Sequence, residues 1–204
     1  MTLLPWFHTK KSRSILIITL SFALCMSGYP AGHGNERVEF TSSNLPIVVI
    51  DTRGKNIPDE PKLDAHMGII DNGEGQRNNV TDAFNGYDGF IGIETRGNAS
   101  QMFDKKPYLF ETRDDYGNNL NVSLLGMPKE NDWILRAAHI DRTFIRDALA
   151  LQMSRRMGRW ASRTRHVELI LNGDYRGVYI LEESIKPDKN RLAIVRMDSA
   201  DIAG

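Results

Sequence analysis

Residues Arg96 to Asp114 read RGNASQMFDKKPYLFETRD, and this stretch carries the side chains best suited to chemistry. Gly97, Ala99 and Ser100 form a small-residue bend, Lys105 and Lys106 set two ammonium groups side by side, and PYLFET then reads as a strand. Gly97 permits close approach of the backbone, and successive amides in such a bend can make an anion-binding concavity. A lysine at the mouth of the next strand can neutralise a phosphate as a point charge. Lys106 shares strand parity with Tyr108 and Phe110, which favours it over Lys105. The plain alternative is an ordinary glycine bend with solvated lysines.

Other constellations are weaker. Gly92 and Gly97 have the spacing of a G-x-x-x-x-G-K-[ST] phosphate loop, but Asn98 and Ala99 occupy the lysine and hydroxyl positions, which excludes that motif. His66, His139 and His166 are scattered, with no H-x-x-x-H or C-x-x-C spacing, so no metal site is expected. PDEPKLD and DNGEG lack the register of a calcium loop, and the G-x-S-x-G elbow of serine hydrolases is absent. Arg142, Arg146, Arg155 and Arg156 read as a solvated helix face. Arg146, beside the apolar Ile145, is the one placed to reach a phosphate across a cleft.

These residues need elements to position them. LPIVVID (Leu45 to Asp51), MGIID (Met67 to Asp71) and GFIGIETRG (Gly89 to Gly97) read as strands. PYLFETR and NLNVSLL, joined by DDYGN, read as a hairpin, as do the two arms of HVELILNGDYRGVYILEE around Asn172–Gly173. The strong helix is DRTFIRDALALQMSRRMG, with Asp141 as N-cap, Ile145, Leu149, Met153 and Met157 every fourth residue, and Gly158 as the stop. Strands, then a helix, then a hairpin give an α+β class with a mostly antiparallel sheet and one main helix.

Lysine plus arginine and aspartate plus glutamate balance at 26 each, which argues against holding nucleic acid by bulk charge. Lys10, Lys11 and Arg13 precede the apolar run Ile15 to Met26, too short to span a bilayer comfortably and suited to a secretory signal over 1–28. Secretion or the cell surface is the expected location, with no membrane span in the mature chain. Residues 29–44 are polar and read as a linker, and 45–204 as the folded domain. Cys25, the sole cysteine, follows Leu24 rather than a small residue, so a lipid anchor there is not favoured. Cleavage beyond it leaves a chain without a thiol, with a net charge of about −3 by count.

Five ordered phrases then become specific together: LPIVVIDT, MGIIDNGEGQRN, GFIGIETRGNASQMFDKKPYLFETRD, NVSLLGMPKENDWILRA and ELILNGDYRGVYILEE. From about Leu45 onward the chain resembles the spore-coat protein H (CotH) kinase family. The resemblance implies a secreted or surface-associated atypical protein kinase with a diverged kinase-like fold, using ATP and Mg to phosphorylate serine in an exported or surface protein. It implies an N-lobe-like α+β domain. It sets Gly97 and Ser100 near phosphate, Lys105 or Lys106 as the neutralising charge, and LEES, with Glu182, where a kinase hinge meets adenine.

The helix departs from the kinase pattern because it holds no glutamate to pair with the lysine. Asp147, Glu130 or Asp132 takes that part, or the pair does not exist. The family's catalytic and metal-binding aspartates are expected in a further region past Gly204. The chain is therefore expected to be an N-terminal portion without the C-terminal lobe and with little turnover of its own. The rival reading is a non-catalytic structural or adhesive surface module.

Overall fold

The β-branched and alternating runs become the staves of one ring. The computed structural model describes residues 39–195. The expected signal segment 1–28, with Cys25, and the first part of the expected linker lie outside the described residues. In chain order the strands are β1 (Ser42–Ser43), β2 (Ile47–Asp51), β3 (Leu63–Ile70), β4 (Asn78–Asn79), β5 (Tyr87–Thr95), β6 (Tyr108–Arg113), β7 (Asp132–Arg136), β8 (Thr164–Leu171) and β9 (Asp174–Glu183). A 3-10 turn, Ala99–Met102, separates β5 from β6, and helix α1, Arg146–Arg156, lies between β7 and β8. β1 and β4 pair with each other, while the other seven strands close into a barrel in the order β2-β3-β5-β6-β7-β9-β8.

An odd ring cannot alternate strand direction all the way round, so at least one neighbouring pair must be parallel. That pair is β2 and β8, in register from Ile47 against Glu168 to Ile50 against Leu171. Asn172 secures the end of the junction: its Oδ1 accepts from the Thr52 amide at 2.8 Å and its Nδ2 donates to Thr52 Oγ1 at 2.8 Å. The same Asn172, at φ 52°, and Gly173, at φ 78°, form the tight turn between β8 and β9, a left-handed pair that Asn-Gly adopts cheaply.

Side chains alternate in and out along every stave. Ile91 and Ile93 of β5, Tyr108 and Phe110 of β6, Trp133 and Leu135 of β7, and Tyr179 and Leu181 of β9 fill the interior. Leu124 and Met127, from the loop after β6, join them. A charged cluster sits beside this core. Arg191 is fully buried, bonds Glu183 at 2.7 Å and lies 4.7 Å from the Trp133 ring centre. Arg163 bonds the same Glu183 at 2.9 Å, and Lys186 bonds Glu130 at 2.6 Å.

β7 and β8 each run antiparallel to β9, which lies between them, and so are parallel to each other. Parallel strands need a crossover rather than a hairpin. Residues 137–163, including α1, are that crossover.

The closed barrel corrects the expected α+β sheet resembling a kinase N-lobe. An α+β layer needs a helix that buries its apolar stripe on the sheet. α1 buries no side chain, and Ile145, Leu149, Met153 and Met157 are all exposed. The helical spacing is real, but its stripe faces away from the barrel. The expected hairpin after PYLFETR is also corrected. The turn forms, with the Asp114 carboxylate accepting from the amides of Tyr116 and Asn118. However, the NLNVSLL arm makes only isolated bridges, and β6 pairs with β7 instead. Phe40 stacks on Tyr175 with ring centres 4.2 Å apart, and Ser43 donates to Glu168 at 2.8 Å, so residues 40–43 are packed against the barrel. Among the described residues no helix is long and apolar enough to cross a membrane.

The two kinds of apolar position are expected to respond differently to truncation. Phe110→Ala empties a fully buried site and is expected to cost about 3–5 kcal/mol in urea unfolding. Leu149→Ala, on the exposed stripe, is expected to stay within about 0.5 kcal/mol of the parent. A large loss at Leu149 would contradict the outward stripe.

Candidate functional site: a cationic cleft on the barrel wall

Outward-facing residues of β7 alternate with its core positions, so Ile134 and Arg136 point away from the interior that holds Trp133 and Leu135. The crossover leaves β7 at Ala137 and turns through Ala138 (φ 47°) and Phe144 (φ 56°). Between this path and the bend after β5 lies a cleft of about 480 Å³. Its lining includes Arg96, Gly97, Ser100, Lys105, Arg136 and Arg146, with Asp141 and Asp147 as its acids. Pro107, Ile134 and Ala137 supply apolar wall, and Phe103 stacks on His139 with ring centres 4.3 Å apart.

The bend has the shape its sequence requires. Gly97 sits at φ 85°, an angle that strains any other residue, and a Cβ built there would lie 2.1 Å from Ser100 Oγ, so Ser100 would have to turn aside. Ser100 Oγ donates to the Arg96 carbonyl at 3.4 Å, and Gln101 Nε2 donates to the Gly97 carbonyl. These bonds tie the bend to itself one residue from the cleft's first guanidinium.

The two lysines part company. Lys105 turns into the cleft, donates to the Val178 carbonyl of β9, and lies 4.5 Å from the Phe144 ring centre and 4.6 Å from that of Tyr179. It forms no ion pair among the described residues. Burial pushes its ammonium down to about 8 from the usual 10.5, opposed by the charge of Glu168. Lys106, the parity choice, donates to the Gln101 carbonyl and does not line the cleft. Parity misleads here because both lysines precede β6, which begins at Tyr108.

Of the other expected site residues, Arg146 lines the cleft, loosely paired with Asp141 at 3.7 Å. Asp141 does not sit at the N-cap, which is Ile145. Its carboxylate instead accepts from the Arg146 amide at 3.0 Å and from the Thr143 hydroxyl at 2.6 Å. The Thr143 hydroxyl first, then the Arg146 amide, hold its carboxyl below the usual range. Glu182 is buried and reaches the cleft only through Arg136, whose Nε donates to it at 2.7 Å. β9 is paired on both sides there, with β7 and with β8, so LEES presents no free strand edge for a base.

Arg136 and Arg96 were not foreseen as site residues. Arg136 joins Glu182 to Asp147 of α1, the latter at 3.3 Å, so the acid that the kinase pattern would pair with a lysine pairs with an arginine. Its hydrogen bond to Glu182 holds the guanidinium firmly protonated, above its ordinary value. Glu130 and Asp132, the other acids considered for the lysine's partner, bind Lys186 instead. Arg96 makes no ion pair among the described residues, and burial, then the like charge of Arg136, pull its guanidinium below the ordinary value. Its signal was adjacency: it is the residue before Gly97 in the stretch that drew attention first.

Within the cleft, then, Arg136 is neutralised, whereas Lys105 and Arg96 carry charges without counter-ions. Half-buried, unpaired cations beside a glycine bend are suited to an anion with several oxygens. No group of three or more His, Cys, Asp or Glu side chains among the described residues is arranged to hold a metal ion. The cleft's two acids are already engaged, Asp141 by Thr143 and the Arg146 amide and Asp147 by Arg136, so the residues present fit phosphate groups but not the expected Mg.

Fold and site together define a β-barrel protein with a cationic cleft on its outer wall. The chain belongs to the CotH kinase protein family, whose model matches residues 93–201. That span includes every cleft residue named above. No curated protein matches the chain.

The lysine gives a signed pH dependence. Its folded value, about 8, lies below the usual 10.5, so the unfolded chain holds the extra proton between them. This group's contribution to stability therefore rises with pH from about 8 to about 10.5. Urea titrations across that window are expected to show the rise in the parent and its loss in Lys105→Met. An identical slope in both proteins would contradict a desolvated Lys105.

Proposed function

We propose that the cleft binds the phosphate groups of ATP and that the chain serves phosphoryl transfer to serine of an exported or surface protein. The observation that carries the reading is the meeting of Lys105, Arg96 and Arg146 with the Gly97–Ser100 bend in one cleft of a CotH-family chain. Lys105 supplies a charge whose burial strengthens its pull on an oxyanion. Arg96 and Arg146 supply forks for the remaining oxygens. Gly97 lets the backbone come close where a side chain would collide with Ser100. Arg136, tied to Glu182 and Asp147, holds the crossover at the rim and is a positioning residue. Pro107, Ile134 and Ala137 offer an apolar surface for the uncharged part of a nucleotide.

ATP supplies the transferable phosphoryl group. The proposed location is outside the cell or at its surface, reached through the signal-like segment 1–28. The competing reading, a structural or adhesive module, shares the cleft but requires no transfer.

Calorimetry with ATP tests the binding half. Lys105→Ala is expected to weaken binding roughly 10- to 100-fold, the worth of a charge-assisted hydrogen bond. Lys106→Ala is expected to leave it nearly unchanged. Because the phosphate needs the protonated amine, affinity is expected to fall as pH rises through about 8. Equal effects of the two lysines, or no binding by the parent, would remove the phosphate reading. Incubation of labelled ATP with exported proteins tests the other half, and binding without transfer would favour the non-catalytic module.

A further inference from the structure

The outward face of α1 has no partner on the barrel. Ile145, Leu149, Met153 and Met157 lie one turn apart, and each is about half or more exposed, from 49% at Leu149 to 74% at Met157. A helix stripe of this kind ordinarily faces a core. Here the helix is held by polar ties at its ends: Asp147 to Arg136, the Phe144 carbonyl to His166 Nε2 at 2.6 Å, and Arg155 to the Ser162 carbonyl.

The charge around the stripe has one sign. Both acids of the segment, Asp141 and Asp147, are occupied, one with the helix start and one with Arg136. Arg142 and Arg156 make no ion pair among the described residues, and both are exposed. Between Lys129 and Lys186 the cationic side chains are arginines throughout, with no lysine. Exposed methionine with arginine, and without lysine, is the composition of protein-binding surfaces. A bilayer-seeking helix carries tryptophan, phenylalanine or leucine across a wide apolar face, whereas this stripe is one residue per turn and half of it is methionine.

We propose that this face of α1 is a docking surface for an acidic polypeptide segment whose apolar side chains repeat at helical spacing. The apolar side chains would cover Leu149 and Met153, and the carboxylates would meet Arg142 and Arg156. The geometry matches an amphipathic helix laid against a helix-borne stripe. The site is separate from the lysine and the glycine bend, so it stands whether or not the chain transfers phosphate.

The test is fluorescence anisotropy of the whole chain with a labelled synthetic peptide carrying leucine at helical spacing among glutamates. The same peptide with lysine for glutamate is the control. The acidic peptide is expected to bind at least about tenfold tighter than the basic one, with affinity falling as salt rises. Leu149→Ser/Met153→Ser and Arg142→Glu/Arg156→Glu are each expected to weaken it about tenfold or more. Neither pair touches the core, so circular dichroism and ATP affinity should match the parent. Equal binding of the two peptides, or indifference to both double variants, would overturn the proposal. Preference for anionic phosphatidylglycerol vesicles over the peptide would overturn it in favour of a lipid surface. Concentration-dependent dimerisation abolished by Leu149→Ser/Met153→Ser would overturn it in favour of self-association.

Discussion

The parallel pairing of β2 with β8 governs the molecule. Without it the seven staves would be an open sheet with two free edges, which exposes unpaired backbone groups. With it, every inner side chain is committed to packing, from Val48 of β2 to Leu181 of β9. A closed barrel of this width has an interior filled by its own side chains. The cationic cleft is therefore built on the outer wall, where a loop or crossover adds a second side. The crossover exists because β9 separates two strands of the same direction. The cleft is thus a consequence of topology: the path from β7 to β8 must pass over the wall, and its first part, from Ala137 to Asp147, leaves a gap beside the bend after β5.

Charge is handled in two different ways on the two sides of that wall. At the core, Arg191, Arg163 and Lys186 are neutralised at short range by Glu183, Glu130 and Asp132. Burying such groups is tolerable only when each is paired, since an uncompensated charge costs several kcal/mol in a medium of low dielectric. In the cleft the rule is broken. Arg136 is paired twice, but Lys105 faces a carbonyl and two aromatic rings, and Arg96 faces Arg136. Cation–ring contacts recover only part of the lost hydration, which is why the Lys105 ammonium is pulled downward. Perturbed, unpaired charge in a concavity is a mark of a site built for something else to complete.

Much of this was legible from the residues alone, and the failures share a cause. A β-branched run located β2, alternation located β5, and the Asn172–Gly173 turn located the final hairpin, because each of these signals is local; alternation in NLNVSLL misled, since that arm makes only isolated bridges. β7 was not assigned, since DWILR has only two positions, Trp133 and Leu135, to signal alternation. Barrel closure was invisible because it joins Ile47 to Glu168, and no local pattern encodes a pairing at that separation. The helix was read correctly as a helix and wrongly as a layer, because spacing reports which residues share a face and not where that face points. Gly97, Ser100, Lys105 and Arg146 were legible as chemistry, as residue types suited to anions. The choice of Lys105 over Lys106 was not, because it depends on the turn that enters β6.

The crossover thereby serves two surfaces with one short segment. Its inner edge, from Ala137 to Asp147, completes the cleft, while its outer edge carries the arginine-flanked stripe. Asp147 stands between them, on the helix yet bonded to Arg136 of the barrel. The helix adds nothing to the core, and its anchors are polar: Asp147 to Arg136, His166 to the Phe144 carbonyl and Arg155 to the Ser162 carbonyl. Such ties fix one edge of the helix to the wall, so the crossover closes one side of the cleft while its apolar stripe stays uncovered on the other.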